Sequence, residues 1–167
     1  MTRLLRRTLM AALAMSAATA SCAHARRELS PSAAAEVQAD VSQTLSLLQR
    51  YSAARQWDSL VTLYADDARF RWIENGQVRY RSRAAIRSGL SSLPPGTRLE
   101  TTYSDTEITA ISPDIASLAT RFETRMTDSA SARSFAFGGA ITMTLIKQSG
   151  AWRILEGHTS AAVDRPR

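Results

Sequence analysis

The sequence predicts an α+β domain, a cone-shaped α+β barrel in which a strongly curved antiparallel sheet wraps around three helices drawn from the N-terminal half. Three observations predict it. Apolar residues recur at helical spacing between Val37 and Leu93, and from Leu99 onward the pattern turns wholly to strands. Three of those strands exceed a dozen residues, and one domain of a 167-residue chain can bury a face of them only by bending them.

Residues 1–21 read as a removable export signal. Arg3, Arg6 and Arg7 make a positive start, and an apolar stretch follows from Leu9 to Ala20, where small residues take over. Its twelve residues fall short of the length of about 20 that a hydrocarbon core requires. Cys22, the single cysteine, comes directly after, in Ala18-Thr19-Ala20-Ser21-Cys22. Ala-Ser-Cys resembles the end of a bacterial lipobox, with Thr19 where such motifs usually carry Leu, and cleavage after Ala20 or Ala25 satisfies small-residue rules equally. Arg6-Arg7 also permits a twin-arginine signal. The expectation is an exported, periplasmic protein, either soluble or lipid-anchored through Cys22. Loss of the signal removes three arginines and no acid, so the net charge falls from +6 to +3. With no block of like charge and no nucleic-acid motif, nucleic acid is excluded as a partner. Membrane contact is expected only through the lipid anchor, and one cysteine excludes an internal disulfide.

Residues 22–34 read as a linker, 35–161 as the domain and 162–167 as a mobile tail. In the first helix Ser30-Pro31 or Ser32 provides the cap, and Val37, Val41, Leu45, Leu48 and Tyr51 share a face. A second helix is expected from an Asp58 N-cap to Asp66-Asp67, with Leu60, Val61 and Tyr64 facing inward. From Ala68 to Ile73, Arg69 and Arg71 alternate with Phe70 and Trp72. Glu74-Asn75-Gly76-Gln77 then supplies a turn, and Val78 to Arg81 alternates again. That hairpin has an aromatic face and an arginine stripe (Arg69, Arg71, Arg79, Arg81), read as solvated or as touching anionic lipid headgroups. Ser82 caps a third helix carrying Ile86, Leu90 and Leu93, which Pro94-Pro95-Gly96 stops. Strands are predicted over 99–111, 115–128, 134–148 and 151–160 as an antiparallel meander, with a curvature-setting bulge at Gly138-Gly139.

This order of elements resembles the nuclear transport factor 2-like superfamily, and more closely its SnoaL-like branch. The matching pieces are Gln49-Arg50-Tyr51-Ser52-Ala53-Ala54, Leu63-Tyr64-Ala65-Asp66-Asp67-Ala68, Arg83-Ala84-Ala85-Ile86, and Trp152-Arg153-Ile154 followed by His158-Thr159-Ser160. Ketosteroid isomerases share that fold. The resemblance puts Tyr51 at their oxyanion tyrosine, but Trp72 where their general-base aspartate stands and Thr142 where their protonated aspartic acid stands. An indole cannot accept a proton, so ketosteroid isomerase activity is expected to be absent.

The candidate ligand-binding residues are Tyr51, Tyr64, Phe70, Trp72, Tyr80, Tyr103, Phe122 and Thr142. Rings of this kind make an aromatic wall for a flat or apolar ligand, or simply fill a core. His158 is the one histidine of the domain, and with Tyr51 it forms the candidate catalytic pair; its strand position leaves both the cavity side and the outer face open. No metal site and no cofactor are expected. In the fifth strand Ile141, Met143 and Leu145 occupy one face and Thr142, Thr144 and Ile146 the other. With Thr142 turned to the cavity, the outer row asks for cover, which a homodimer through the outer face of the sheet would give. The leading expectation is a small apolar molecule bound in the cone without assigned chemistry. The alternatives are a polyketide cyclase, dehydratase or isomerase-like enzyme using His158 and Tyr51, and a dimerisation module with a filled cone.

Overall fold

The computed structural model describes residues 29–128, 131 and 133–161. The export signal, Cys22 and the tail 162–167 lie outside the described residues. Helix α1 (Pro31–Ala53) starts where Ser30, in extended conformation, accepts a hydrogen bond from the Ala33 N–H at 3.2 Å and Pro31 fills the first turn. Nothing in the alanines that follow opposes a helix so capped, and residues 31–34, expected in the linker, are its first turn. Val37, Val41, Leu45 and Leu48 are buried against the sheet, and Gln38 and Gln49 tie the helix to backbone carbonyls of Ile108 and Thr101.

Helix α2 (Trp57–Val61) is shorter than expected, and Asp58 is not its cap. Asp58 lies inside the first turn and accepts from Arg87 Nε at 2.6 Å. The helix cannot run on to Asp66-Asp67 because the chain after it is claimed by the sheet. The Ile154 N–H donates to the Leu63 carbonyl and the Ala65 N–H donates to the Ile154 carbonyl, each at 2.8 Å. Strands β1 (Arg71–Glu74) and β2 (Gln77–Tyr80) join through Asn75 and Gly76, both at positive φ (50° and 81°), as a two-residue hairpin turn requires. The arginines beside them do not form one ladder: Arg69 folds back on Asp67 in a two-pronged ion pair, and Arg71 is half-buried. Helix α3 (Arg83–Ser91) is capped by the Ser82 hydroxyl.

The long strands are β3 (Arg98–Ser112), β4 (Ile115–Thr127), β5 (Ser134–Gln148) and β6 (Ala151–Ala161). They form the predicted antiparallel meander, and β1 adds to β6 in parallel, giving the order β2-β1-β6-β5-β4-β3. The sheet is curved around the helices but open, with β2 and β3 as its edges. No described helix is long and apolar enough to cross a membrane.

Gly138 and Gly139 are not a bulge, since their pairing with β4 is uninterrupted. The register slips instead in β3 after Ser104, where Asp105 adopts φ 50°, and in β6 at Leu155, which has no partner between Thr144↔Glu156 and Leu145↔Ile154. The two glycines serve close approach: a Cβ on Gly138 would stand 2.8 Å from the Phe122 carbonyl oxygen, and one on Gly139 would overlap the Ser160 carbonyl oxygen. The face assignment of β5 also differs from expectation. Ile141, Met143 and Leu145 are the inward row, buried in the core, whereas Thr142 is exposed on the outer face. The larger apolar gain of burying Ile, Met and Leu sets that register. The outer row is therefore the threonine-bearing one.

Candidate functional site

Under the cone lies a cavity of about 200 Å³ whose lining comes from every helix and from β1, β2, β3 and β5. Its apolar wall is made of Leu48, Leu60, Ile86, Leu90 and Ile141. Its remaining lining is aromatic or polar: Tyr64, Trp72, Tyr80 and Tyr103, with Ser52 and Glu74.

Each ring is held by a specific local cause. Tyr64 is fixed because the residues on either side of it bond to Ile154, and its ring meets Phe70 and Trp72 edge-on at 5.7 and 5.8 Å. Trp72 lies across β6 at Gly157, where a Cβ would overlap the indole six-membered ring. Tyr80 is the cross-strand partner of Trp72, and its phenol end rests on Gly89 of α3, where a Cβ would come within 2.5 Å of the hydroxyl. Tyr103 faces inward opposite Phe122 on β4. Two steps beyond Trp72 on the same face of β1, Glu74 accepts the indole N–H at 3.2 Å.

The electrostatics of the site follow from burial. Burial pushes the Tyr64 hydroxyl far above the ordinary phenol range, and Tyr103, Tyr80 and the Glu74 charge add to that rise; burial alone pushes Tyr103 up to about 12. Both phenols are therefore un-ionised near neutrality. Neither hydroxyl has a hydrogen-bond partner among the described residues, and no described polar atom is both sealed and unpartnered. The Tyr64 hydroxyl, on a residue only 7% exposed, must therefore open onto the cavity.

The structure brings together Tyr64, Trp72, Tyr80 and Tyr103 and leaves the other candidates elsewhere. Phe70 and Phe122 are buried core rings outside the lining. Tyr51 packs half-buried beside the core under the Arg50 guanidinium, one step around α1 from the cavity-facing Leu48 and Ser52. Thr142 and His158 are cross-strand partners on the outer face, both exposed. The Leu155 bulge is the reason for His158: with Trp152 and Ile154 buried, strict alternation would carry it inward, and the extra residue reverses the parity so that Gly157 faces in. His158 and Tyr51 consequently share no cavity. Glu74 was missed because it read as a turn residue; its signal was its position two after Trp72 in an alternating segment. Ser52 gave none, because α1 spacing singles out only apolar positions. Among the described residues, no three His, Cys, Asp or Glu side chains gather at a metal-holding spacing.

A family model described as a SnoaL-like domain matches residues 33–158. No curated protein matches the chain. Among solved structures, a hexachlorocyclohexane dehydrochlorinase (LinA, type 2) is similar with a TM-score of 0.66 at 12% identity, over 77% of this chain and 87% of that one. A ketosteroid isomerase-like protein from Erwinia carotovora atroseptica superposes with a TM-score of 0.63 at 16% identity, over 75% of this chain and 95% of its own. A nuclear transport factor 2-like protein of unknown function from Shewanella oneidensis gives 0.61 at 20% identity, over 74% and 98%. At such identities the likeness concerns the fold.

Proposed function

The chain belongs to the SnoaL-like domain family, and on that premise we propose that it is an exported protein binding a small, flat, largely apolar molecule in its cone, without chemistry of its own. The supporting observation is the hollow itself. A space of about 200 Å³ stays open between four aromatic rings, three of which are seated by neighbouring glycines or backbone bonds: Trp72 on Gly157, Tyr80 on Gly89, and Tyr64 between two bonds to Ile154. Such a site offers a planar ligand large contact area at fixed geometry. The enzyme alternative built on His158 and Tyr51 has no shared cavity to act in, and the filled-cone alternative does not fit an open one.

The test is titration of the protein lacking its signal with coumarin, a flat neutral two-ring probe, followed by probe fluorescence and by the rise in Tm that ligand binding produces. Saturable one-to-one binding is expected, lost in Leu90→Trp, which fills the cavity while keeping an apolar residue on α3. Binding that survives Leu90→Trp, or none at all, would refute the proposal.

A further inference from the structure

The cavity is lined by apolar side chains and by two kinds of polar group that differ in exposure. The Tyr64 and Tyr103 hydroxyls, on a buried and a half-buried residue of its lining, have no hydrogen-bond partner among the described residues. A neutral phenol beside an empty space offers its proton to an acceptor. At the solvent-open side stands Glu74, whose side chain is 43% exposed. One oxygen accepts from the Trp72 indole, and the other lies 3.9 Å from Arg79 Nε, a long ion pair with the arginine 64% exposed and largely screened by water. A carboxylate accepts and never donates, so it has acceptor capacity left for a ligand. It also repels an anion.

We propose that the site selects planar molecules with two polar ends: a hydrogen-bond acceptor that enters first and meets Tyr64 and Tyr103, and a neutral or cationic donor that remains at the rim against Glu74. Organic anions are turned away. The inference rests on the reading of the cone as a binding site and adds which chemistry it admits. The selection is steeper at the inner end, because a ligand lacking the acceptor leaves the buried Tyr64 phenol unpaired, whereas Glu74 stays within reach of water.

Four fluorescent probes of similar shape separate the elements: 7-aminocoumarin has both ends, coumarin lacks the donor, 2-aminonaphthalene lacks the acceptor, and coumarin-7-carboxylate carries an anion at the rim. Titrated against the protein lacking its signal, 7-aminocoumarin is expected to bind about tenfold tighter than either singly equipped probe, with the carboxylate weakest. Glu74→Gln keeps an oxygen for the Trp72 indole but removes the charge, and is expected to collapse the ratio between the amino and carboxylate probes about tenfold or more. Tyr64→Phe should instead shrink the advantage of 7-aminocoumarin over 2-aminonaphthalene, and Tyr64→Phe with Tyr103→Phe should erase it. Equal affinities for all four probes, or an amino-to-carboxylate ratio unmoved by Glu74→Gln, would overturn the selectivity while leaving the binding site standing. Failure of every probe to bind would remove the site and the selectivity together.

Discussion

Tyr64 and Tyr103 show how burial fixes the chemical state of a residue. Both have raised pKa values because burial opposes the tyrosinate, whereas in the unfolded chain each ionises near its ordinary value of 10. The stability they confer is complete below about pH 10 and drains away as pH rises through the folded-state values. The protein is therefore expected to lose stability to alkali above about pH 10. The measurement is the urea midpoint against pH, with tyrosinate absorbance recorded in parallel. Tyr103→Phe should flatten the alkaline slope, and an unchanged slope would contradict the assignment. At this scale the sequence was informative where alternation was regular: Trp72 and Tyr80 could be placed on the aromatic face of their hairpin from pattern alone. It misled where apolar burial, rather than resemblance, decided the face, as with Thr142. Glu74 was hidden by the Asn75-Gly76 turn it precedes, although it belongs to the strand.

Element boundaries were legible to within one residue for the four long strands, because Ser112-Pro113-Asp114 and Ser149-Gly150 interrupt the alternation sharply. Helix α2 was not, because its end is set by Ile154, some ninety positions away, and no local signal carries that. The bulge in β6 was equally invisible, since Leu155 looks like any strand residue. Its role makes a contrast of deletions informative. Removing Leu155 leaves Ile154, Glu156, Gly157 and His158 in plain alternation, with the same faces inward and outward. That variant is expected to fold, weaker by about 1–3 kcal/mol through lost twist and packing. Deleting Gly157 instead drives His158 into the space of the Trp72 indole, and cooperative unfolding is expected to vanish. Urea melts followed by tryptophan fluorescence compare the two; equal tolerance would mean that parity in β6 does not matter.

For the whole molecule, the mixed topology was only partly foreseeable: the meander was written in the strand pattern, but the parallel seating of β1 on β6 was not. The outer sheet face runs through Ala119, Thr142, His158 and Ile73 in one cross-strand row. The homodimer expected through that face rested on Thr142 turning inward, and with the threonine-bearing row outside that ground is gone. Light scattering still decides, since a dimer that Thr142→Arg makes monomeric would support it and a wild-type monomer at micromolar concentration would reject it. The β1–β6 pairing also bears on how the hollow comes into being. Trp72 and the glycine beneath it are separated by 85 positions, and the later one lies in the final strand. A nascent chain therefore holds three helices and most of a sheet before it owns a binding site, and acquires one only as the 11 residues of β6 join. Competence to hold a ligand arrives with synthesis of the final strand, so any product stopped short of Ala151 should be blind to every probe, however much secondary structure it retains.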